Sequence, residues 1–417
     1  MDQDAHSYRS QRWMRDVEAG PTAVSQISDK DGLATYRGIA VKELIAADCS
    51  FEHVAYLILY GRRPTGPQLK DFANKLVARR HLSGDVQYVL ETLVRQTRAT
   101  TGRRAHPMDL LAIAIYLLQF EHQASKARTE RYLTEDAIDI IAKLPTVLGF
   151  VYSQQYGSGA TITHSIQPHA QFLLASLGNF HSNATVRRMF EIAMILYADH
   201  GLAASTLTVR TVAGTNSDMY SAISAGVGTL KGYLHGGSCQ RVMELVFSDA
   251  EFPNRLHEHL AQPSPTVPGF GHPVFKTCDP RADHLQKLLE EHAAELTADV
   301  PKGRDYISRM RTARRIVREW FHDRQSSRGK TRSRRELHPN LEFPCAALFG
   351  TIGIPAEYFP AVFAAARCVG WCAHYIEHVK QGTLIRPSMW YEPSPTIVVP
   401  DRSESASGST TRPRPSP

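Results

Sequence analysis

A helical period runs through almost the whole chain, and it limits the possible folds more than any other feature. In "FEHVAYLILYGRRPTGPQLKDFANKLVARR" apolar residues recur at helical spacing and the pattern breaks at Gly61, Pro64 and Pro67. The period continues in "DLLAIAIYLLQFEHQ", "EDAIDIIAKLPTVLGFVY" and "VRRMFEIAMILYADHGLAASTLTVRTVAG". The last of these is apolar on most sides, as expected of one buried core helix. "SDMYSAISAGVGTLKGYLHGG" is so rich in Ala, Ser and Gly that its backbone can approach a neighbour closely. Extended alternating runs are scarce and no internal repeat is visible, so the chain is expected to be all-α. At 417 residues it can bury one very large core or two to three ordinary ones.

Composition narrows the function classes. Hydrophobic content of 42% is ordinary for a globular protein, and no run of about 18 apolar residues suggests a membrane span. "MDQDAHSYRSQRWMRDVEAG" has no apolar signal region, which points to a cytoplasmic location. The six cysteines, at 49, 239, 278, 345, 368 and 372, form no CxxC and suit free thiols in a reducing compartment. Asn183-Ala-Thr fits the glycosylation pattern, but without a signal it is read as coincidence.

A net charge of +7 favours anionic partners. From Lys302 to Arg335 thirteen basic residues face three acidic ones. Within that stretch Tyr306, Ile307, Met310, Ala313, Val317, Trp320 and Phe321 form one stripe of an amphipathic helix, with arginines opposite. "HDRQSSRGKTRSRRELHPN" then reads as a loop. From about Glu392 a Pro/Ser/Thr-rich tail is too poor in apolar residues to pack, and disorder is expected there.

Four constellations compete for the chemistry. "HYIEH", His374 to His378, matches the H-x-x-E-H metallopeptidase pattern, but the motif is short and a third ligand is not evident. Its plain alternative is a helix with two partly exposed histidines, and no metal is expected. The basic 302–335 face suits nucleic acid, yet no binding motif or aromatic platform accompanies it. A solvated face, or a neighbour of a large anionic cofactor's phosphates, accounts for it equally well. Cys368 and Cys372, one helical turn apart, read as buried thiols. The fourth constellation joins His200 in "YADHGLAAST", His235 in "GYLHGGS" and His272 in "PGFGHPVF" with Arg281, Arg367 and Arg386. Imidazoles that handle protons near neutral pH, beside guanidiniums that clamp carboxylates, suit an anionic, carbonyl-bearing substrate.

These segments, in this order, resemble the citrate synthase family over roughly residues 25–390. "ISDKDGLATYRGIAVKEL", "ADHGLAASTLTVRTVAGTNSDMYSAISAGVGTLKGYLHGG", "TVPGFGHPVFKTCDPR" and "TIGIPAEYFPAVFAAARCVGWCAHYIEH" carry the resemblance. It implies an all-helical dimer with a large domain (25–236 and 353–391) and a smaller one (237–352) closing over substrate. An N-terminal extension (1–24) and the tail (392–417) would lie outside both. It further implies condensation of acyl-CoA with oxaloacetate through an enolate, followed by thioester hydrolysis. No cofactor would be permanently bound, with acyl-CoA as co-substrate and neither nucleic acid nor membrane as partner.

By the same resemblance His235 would hold the thioester oxygen, and His272 would polarise the keto group and protonate the alkoxide. His200, Arg281 and Arg367 would bind oxaloacetate, and Arg386 would complete the site of the second subunit. Val267, Pro268, Gly269, Phe270 and Gly271 would lie against the CoA adenine, with Lys276 near its phosphates. One departure stands out. The family's general base is an Asp in N-V-D-F-Y-S, whereas this chain has "NLEFPCAAL" and so Glu342. A longer carboxylate, Pro344 in place of Tyr, and Gly201 and Ala203 in "DHGLAAS" leave three readings: a citrate synthase, an alkylcitrate synthase for propionyl-CoA or longer, or an impaired CoA/dicarboxylate-binding paralogue.

Overall fold

The computed structural model describes residues 17–29, 32–121, 129–157, 168–178, 183–247, 249, 251–263, 265–298, 305–327 and 336–389. The tail from 392 and the basic residues 328–335 lie outside them. A compact unit spans Met1–Leu384, and a C-terminal unit begins at Ile385.

The chain's first described elements depart from the all-helical expectation. β1 (Ser25–Ser28), β2 (Leu33–Tyr36) and β3 (Ile39–Ala40) form an antiparallel sheet in the order β1-β2-β3. Ser25 pairs with Tyr36 and Ser28 with Leu33, while Thr35 pairs with Ala40. Between β2 and β3, Arg37 and Gly38 both take positive φ (49° and 81°), as the tight turn that matches strand twist requires. The Arg37 guanidinium holds the unusual turn by donating to the Ile58 carbonyl at 3.0 and 2.6 Å. Among the described residues every later element is a helix, as expected, apart from one isolated bridge between Phe270 and Pro339.

The helices are α1 (Val41–Ala46), α2 (Phe51–Tyr60), α3 (Gly66–Ala78), α4 (Gly84–Thr101), α5 (Pro107–Leu118), α6 (Glu130–Tyr156), α7 (His169–Ser176) and α8 (Ala184–Tyr197). There follow α9 (Ala204–Gly214), α10 (Met219–Leu230), α11 (Gly237–Val242), α12 (Phe252–Leu260), α13 (Pro280–Glu291), α14 (Ala293–Thr297), α15 (Tyr306–Ser327), α16 (Glu342–Thr351) and α17 (Phe359–Gln381). Caps legible in the sequence start several of them: Ser50, Ser83, Asp218 and Asp279 each accept from a backbone N–H in the following turn. Asn183 does the same for α8, which engages the side chain of the glycosylation-like triplet.

α17 is the core of the molecule. Its residues from Phe359 to Ile376 are buried on every side, and it packs on α2, α6, α8, α9 and α10. The small-residue prediction for α10 holds: a Cβ on Gly226 would come within 2.8 Å of Val209 on α9. Among the described residues no helix is long and apolar enough to cross a membrane. All six cysteines are free, and all but Cys278 are buried.

Two helix boundaries differ from the sequence reading. The run expected as one core helix breaks between Tyr197 and Ala204, and the break carries Asp199 and His200. α15 extends to Ser327, so "HDRQSS", read as loop, is helical. Its inner stripe includes buried Ile316 beside the expected Ile307, Met310, Ala313 and Val317.

Candidate active site

The break after α8 is held so rigidly that it serves as an anchor. Asp199 is fully buried, and its carboxylate accepts from the Ser25 hydroxyl at 2.5 Å and the Gly201 N–H at 3.0 Å. His374 Nε2 stands 3.4 Å away. Burial alone would raise this carboxyl, but His374, Arg367 and Ser25 hold it down to about 2. The Tyr36 hydroxyl donates to the carbonyls of Ile195 (2.9 Å) and Asp199 (3.2 Å), so the N-terminal sheet braces the same segment. His200, next in sequence, is thereby fixed.

The His272 loop meets it. Gly269 and Gly271 take φ near +80°, the left-handed region that glycine enters without strain. That geometry lets Gly271 donate to the His338 carbonyl (2.8 Å) while Asn340 bonds the carbonyls of Gly269 and Gly271 at 2.9 and 3.0 Å. The clamp ties His272 to the segment that leads into Glu342, the first residue of α16. The N–H groups of Val274 and Phe275 both donate to His272 Nδ1 at 3.0 Å, which places the proton of the neutral ring on Nε2. That nitrogen lies 3.0 Å from His200 Nε2, and Arg281 approaches the same His200 atom at 3.4 Å. His200 Nε2 therefore accepts from both. Its protonated Nδ1 is buried and finds no partner among the described residues.

Arg281 and Arg367 supply the positive charge. Arg281, on the first turn of α13, is pinned by the buried Asp279 carboxylate at 2.8 and 3.1 Å, and the pairing raises its pKa despite burial. Arg367 on α17 is 1% exposed. It donates Nε to the Tyr197 carbonyl at 2.7 Å and lies over the Phe363 ring. One of its terminal nitrogens has no partner among the described residues, an arrangement suited to an incoming carboxylate.

His235 follows the Gly232–Leu234 turn after α10. Its Nε2 is 2.8 Å from the Ser205 hydroxyl, which accepts from Trp371 Nε1 at 3.2 Å. The hydroxyl proton is left for His235 Nε2, and the ring's own proton for Nδ1.

All three imidazoles are driven to the neutral form. Burial and then Arg281 bring His272 down to about 4, while burial and then Arg367 do the same for His235. Burial, Arg281 and His272 push His200 well below the ordinary histidine range. Glu342 moves the other way: burial raises it, and the nearby Arg281 and Arg367 only partly offset the rise. A raised carboxylate that shares Arg281 and Arg367 with neutral imidazoles can take a proton from carbon while the others hold developing negative charge.

The structure thus gathers His200, His235, His272, Arg281, Arg367 and Glu342 into one electrostatically coupled cluster. Ser205, Asp279, Asp199, Asn340 and Trp371 also support it. Of these only Asp279 carried a visible signal, a helix-capping Asp-Pro directly before Arg281. Val267 is buried, and Phe270 packs on Phe343 with ring centres 4.7 Å apart. The Lys276 ammonium bonds back to the Pro273 carbonyl, and the Lys276 backbone N–H donates to Asp29 at 2.7 Å. Arg386 is exposed in the C-terminal unit.

The metallopeptidase motif has a different purpose. His374 and His378 are both buried rather than partly exposed. His374 bridges Asp199 and Arg210, Glu377 pairs with Arg210 at 2.7 Å, and His378 bonds the Thr383 carbonyl. Each side chain is spent on the fold, and no cluster of potential metal ligands occurs among the described residues.

The chain is similar to known proteins in sequence and in fold. Residues 13–388 match the family described as "Citrate synthase, C-terminal domain". A citrate synthase of Mycolicibacterium smegmatis is 31% identical, the alignment covering 94% of this chain and 97% of that protein. A 2-methylcitrate synthase of Shewanella oneidensis is 32% identical, with 93% and 96% covered. The crystal structure of citrate synthase from Thermotoga maritima superposes with a TM-score of 0.75 at 29% identity, covering 93% of this chain and 97% of that one.

Proposed function

The chain belongs to the citrate synthase family, and from that premise we propose that it condenses an acyl-CoA with oxaloacetate and then hydrolyses the thioester, the acyl group becoming an alkyl group of the product. The observation that carries this reading is that three neutral imidazoles and the Glu342 carboxylate share the same two anchored guanidiniums, Arg281 and Arg367.

Oxaloacetate's carboxylates are met by Arg281, Arg367 and His200, whose buried Nδ1–H and free guanidinium nitrogen supply donors. Glu342 takes a proton from the carbon alpha to the thioester, and the electron pair moves to the thioester oxygen, which accepts from His235 Nδ1–H. The enolate carbon attacks the keto carbon. The keto oxygen takes the place of His200 as acceptor from His272 Nε2–H and takes up that proton as the carbon–carbon bond forms. The proton that Glu342 removed from the acyl carbon then returns to His272, so both groups end as they began. Water then cleaves the new thioester and releases CoA.

Val267 to Gly271 and Lys276 form the CoA-side wall in this reading. The 237–352 part closes over the 25–236 and 353–391 part, and Arg386 completes the site of a second copy. Catalysis runs without a resident cofactor or metal, in the cytoplasm, and serves the tricarboxylic acid cycle when the acyl group is acetyl. Relatives of near-equal identity bear both citrate and 2-methylcitrate synthase names, so propionyl-CoA is the second candidate substrate. The test is release of CoA thiol from acetyl-, propionyl- and hexanoyl-CoA. Release that requires oxaloacetate supports the proposal, and its absence with all three refutes it.

A further inference from the structure

A cavity of about 510 Å³ lies apart from the histidine cluster, between the C-terminal half of α4 and the start of α5. Leu93 and Ile113 give it apolar walls, and Arg103 and Arg104 place two guanidiniums beside them. Arg104 lies over the Tyr156 ring and stands 3.9 Å from Glu357. Asp109, the acidic group on the lining, is already paired with Lys231 at 2.6 Å. The wall therefore offers unbalanced positive charge next to apolar surface.

The same wall is bonded to both flanks of the His235 loop. Lys231, the partner of Asp109, is the last residue before that loop. On the far side, His106 Nε2 is 3.2 Å from Gln240 Oε1 on α11. His106 Nδ1 accepts the Met108 N–H, so Nε2 carries the proton and donates to Gln240. Cys239, next to Gln240, has its thiol 3.5 Å from the Glu342 carbonyl. A group that moves the Arg103–Asp109 segment thus pulls on the loop holding His235 at two points.

We propose that this cavity is an effector site for an amphipathic anion, an apolar body ending in a carboxylate or phosphate, whose occupancy changes turnover through the Asp109–Lys231 and His106–Gln240 bonds. An anion between Arg103 and Arg104 draws Arg104 away from Glu357 and repels Asp109, which loosens its hold on Lys231. The site is coupled to the active site by a differential contact, as an effector site must be.

Two probes distinguish the sources of such an anion: hexanoate for a carboxylate and AMP for a nucleotide phosphate. Thermal unfolding of the full-length protein is followed with each, beside the Arg103→Gln/Arg104→Gln double variant and Asp109→Asn. At least one probe should raise the wild-type midpoint by several degrees, because a ligand that binds only the folded state stabilises it. The double variant should bind it at least about tenfold more weakly, having lost two charge-assisted contacts. The same probe should alter the thiol-release rate of the wild type and leave that of Asp109→Asn unchanged. The proposal is overturned if neither probe shifts the wild type, if the double variant shifts equally, or if binding leaves turnover unaltered. The thermal arm does not depend on catalysis and so stands apart from the condensation assay.

Discussion

Gly370→Ala should damage both stability and catalysis, although residue 370 touches no substrate in the mechanism above. Gly370 lies where α17 crosses the break after α8, and its N–H donates to the Ala198 carbonyl at 3.1 Å. A Cβ there would sit 2.2 Å from Asp199 Oδ1 and 2.5 Å from Ala198 O, whereas ordinary contact begins at 3.4 Å. Neither atom can step aside. One is backbone, and the other belongs to a carboxylate held by Ser25, Gly201 and His374. The two segments must therefore part by roughly 1 Å, which strains the Asp199 network and separates Arg367 from His200. Overpacking of this kind costs about 1–3 kcal/mol, and rigid backbone puts it at the upper end. At about 2 °C per kcal/mol for a chain this long, the unfolding midpoint should drop about 6 °C. A misplacement of about 1 Å should lower kcat on the order of 10²-fold. Calorimetry and thiol release measure the two effects. A variant with native midpoint and native kcat would refute the claim that the Asp199–His200 anchor sets the site.

Other consequences follow from the same contacts. Ser205→Ala leaves His235 Nε2 and Trp371 Nε1 without their shared partner, and kcat should fall about tenfold at nearly constant KM. Asp279→Ala strips the counter-charge from Arg281, and a buried pair broken on one side costs about 3–5 kcal/mol; a midpoint within 2 °C of wild type, by roughly the same conversion, would contradict this. His235 and His272 sit at about 4 in the fold against about 6.5 when unfolded. The unfolded state therefore takes up protons first, so stability is full above about pH 6.5 and declines as pH falls toward 4. A His235→Gln/His272→Gln variant should show a shallower decline in midpoint over that window.

How much of this was legible in the sequence differed by feature. Long amphipathic and apolar runs gave the helices, because burial of a periodic face dominates their energetics. The N-terminal sheet was hidden, since its strands are two to four residues long and its turn is Arg-Gly rather than Asn-Gly. The break at Asp199 was hidden for another reason. Its apolar neighbours continue on both sides, and the chain is stopped there by tertiary bonds from Ser25 and Tyr36. Five of the six charged and imidazole groups of the cluster could be picked out by type and setting, and Glu342 only through the resemblance. Their supports could not, because Ser205, Asn340 and Trp371 are ordinary residues until the fold places them beside His235 and Gly271. "HYIEH" is the opposite case, a short motif match whose side chains brace Asp199 and Arg210.

The central claim is that Glu342 removes the proton from the acyl-CoA, and the most direct test compares oxaloacetate-dependent thiol release by wild type and Glu342→Gln. Gln keeps the size and loses the charge. The mechanism predicts a fall in kcat of about 10²–10⁴-fold, with oxaloacetate still stabilising the variant against heat through Arg281, Arg367 and His200. A Glu342→Gln enzyme that turns over within about threefold of wild type would contradict it, because general-base catalysis contributes far more than that.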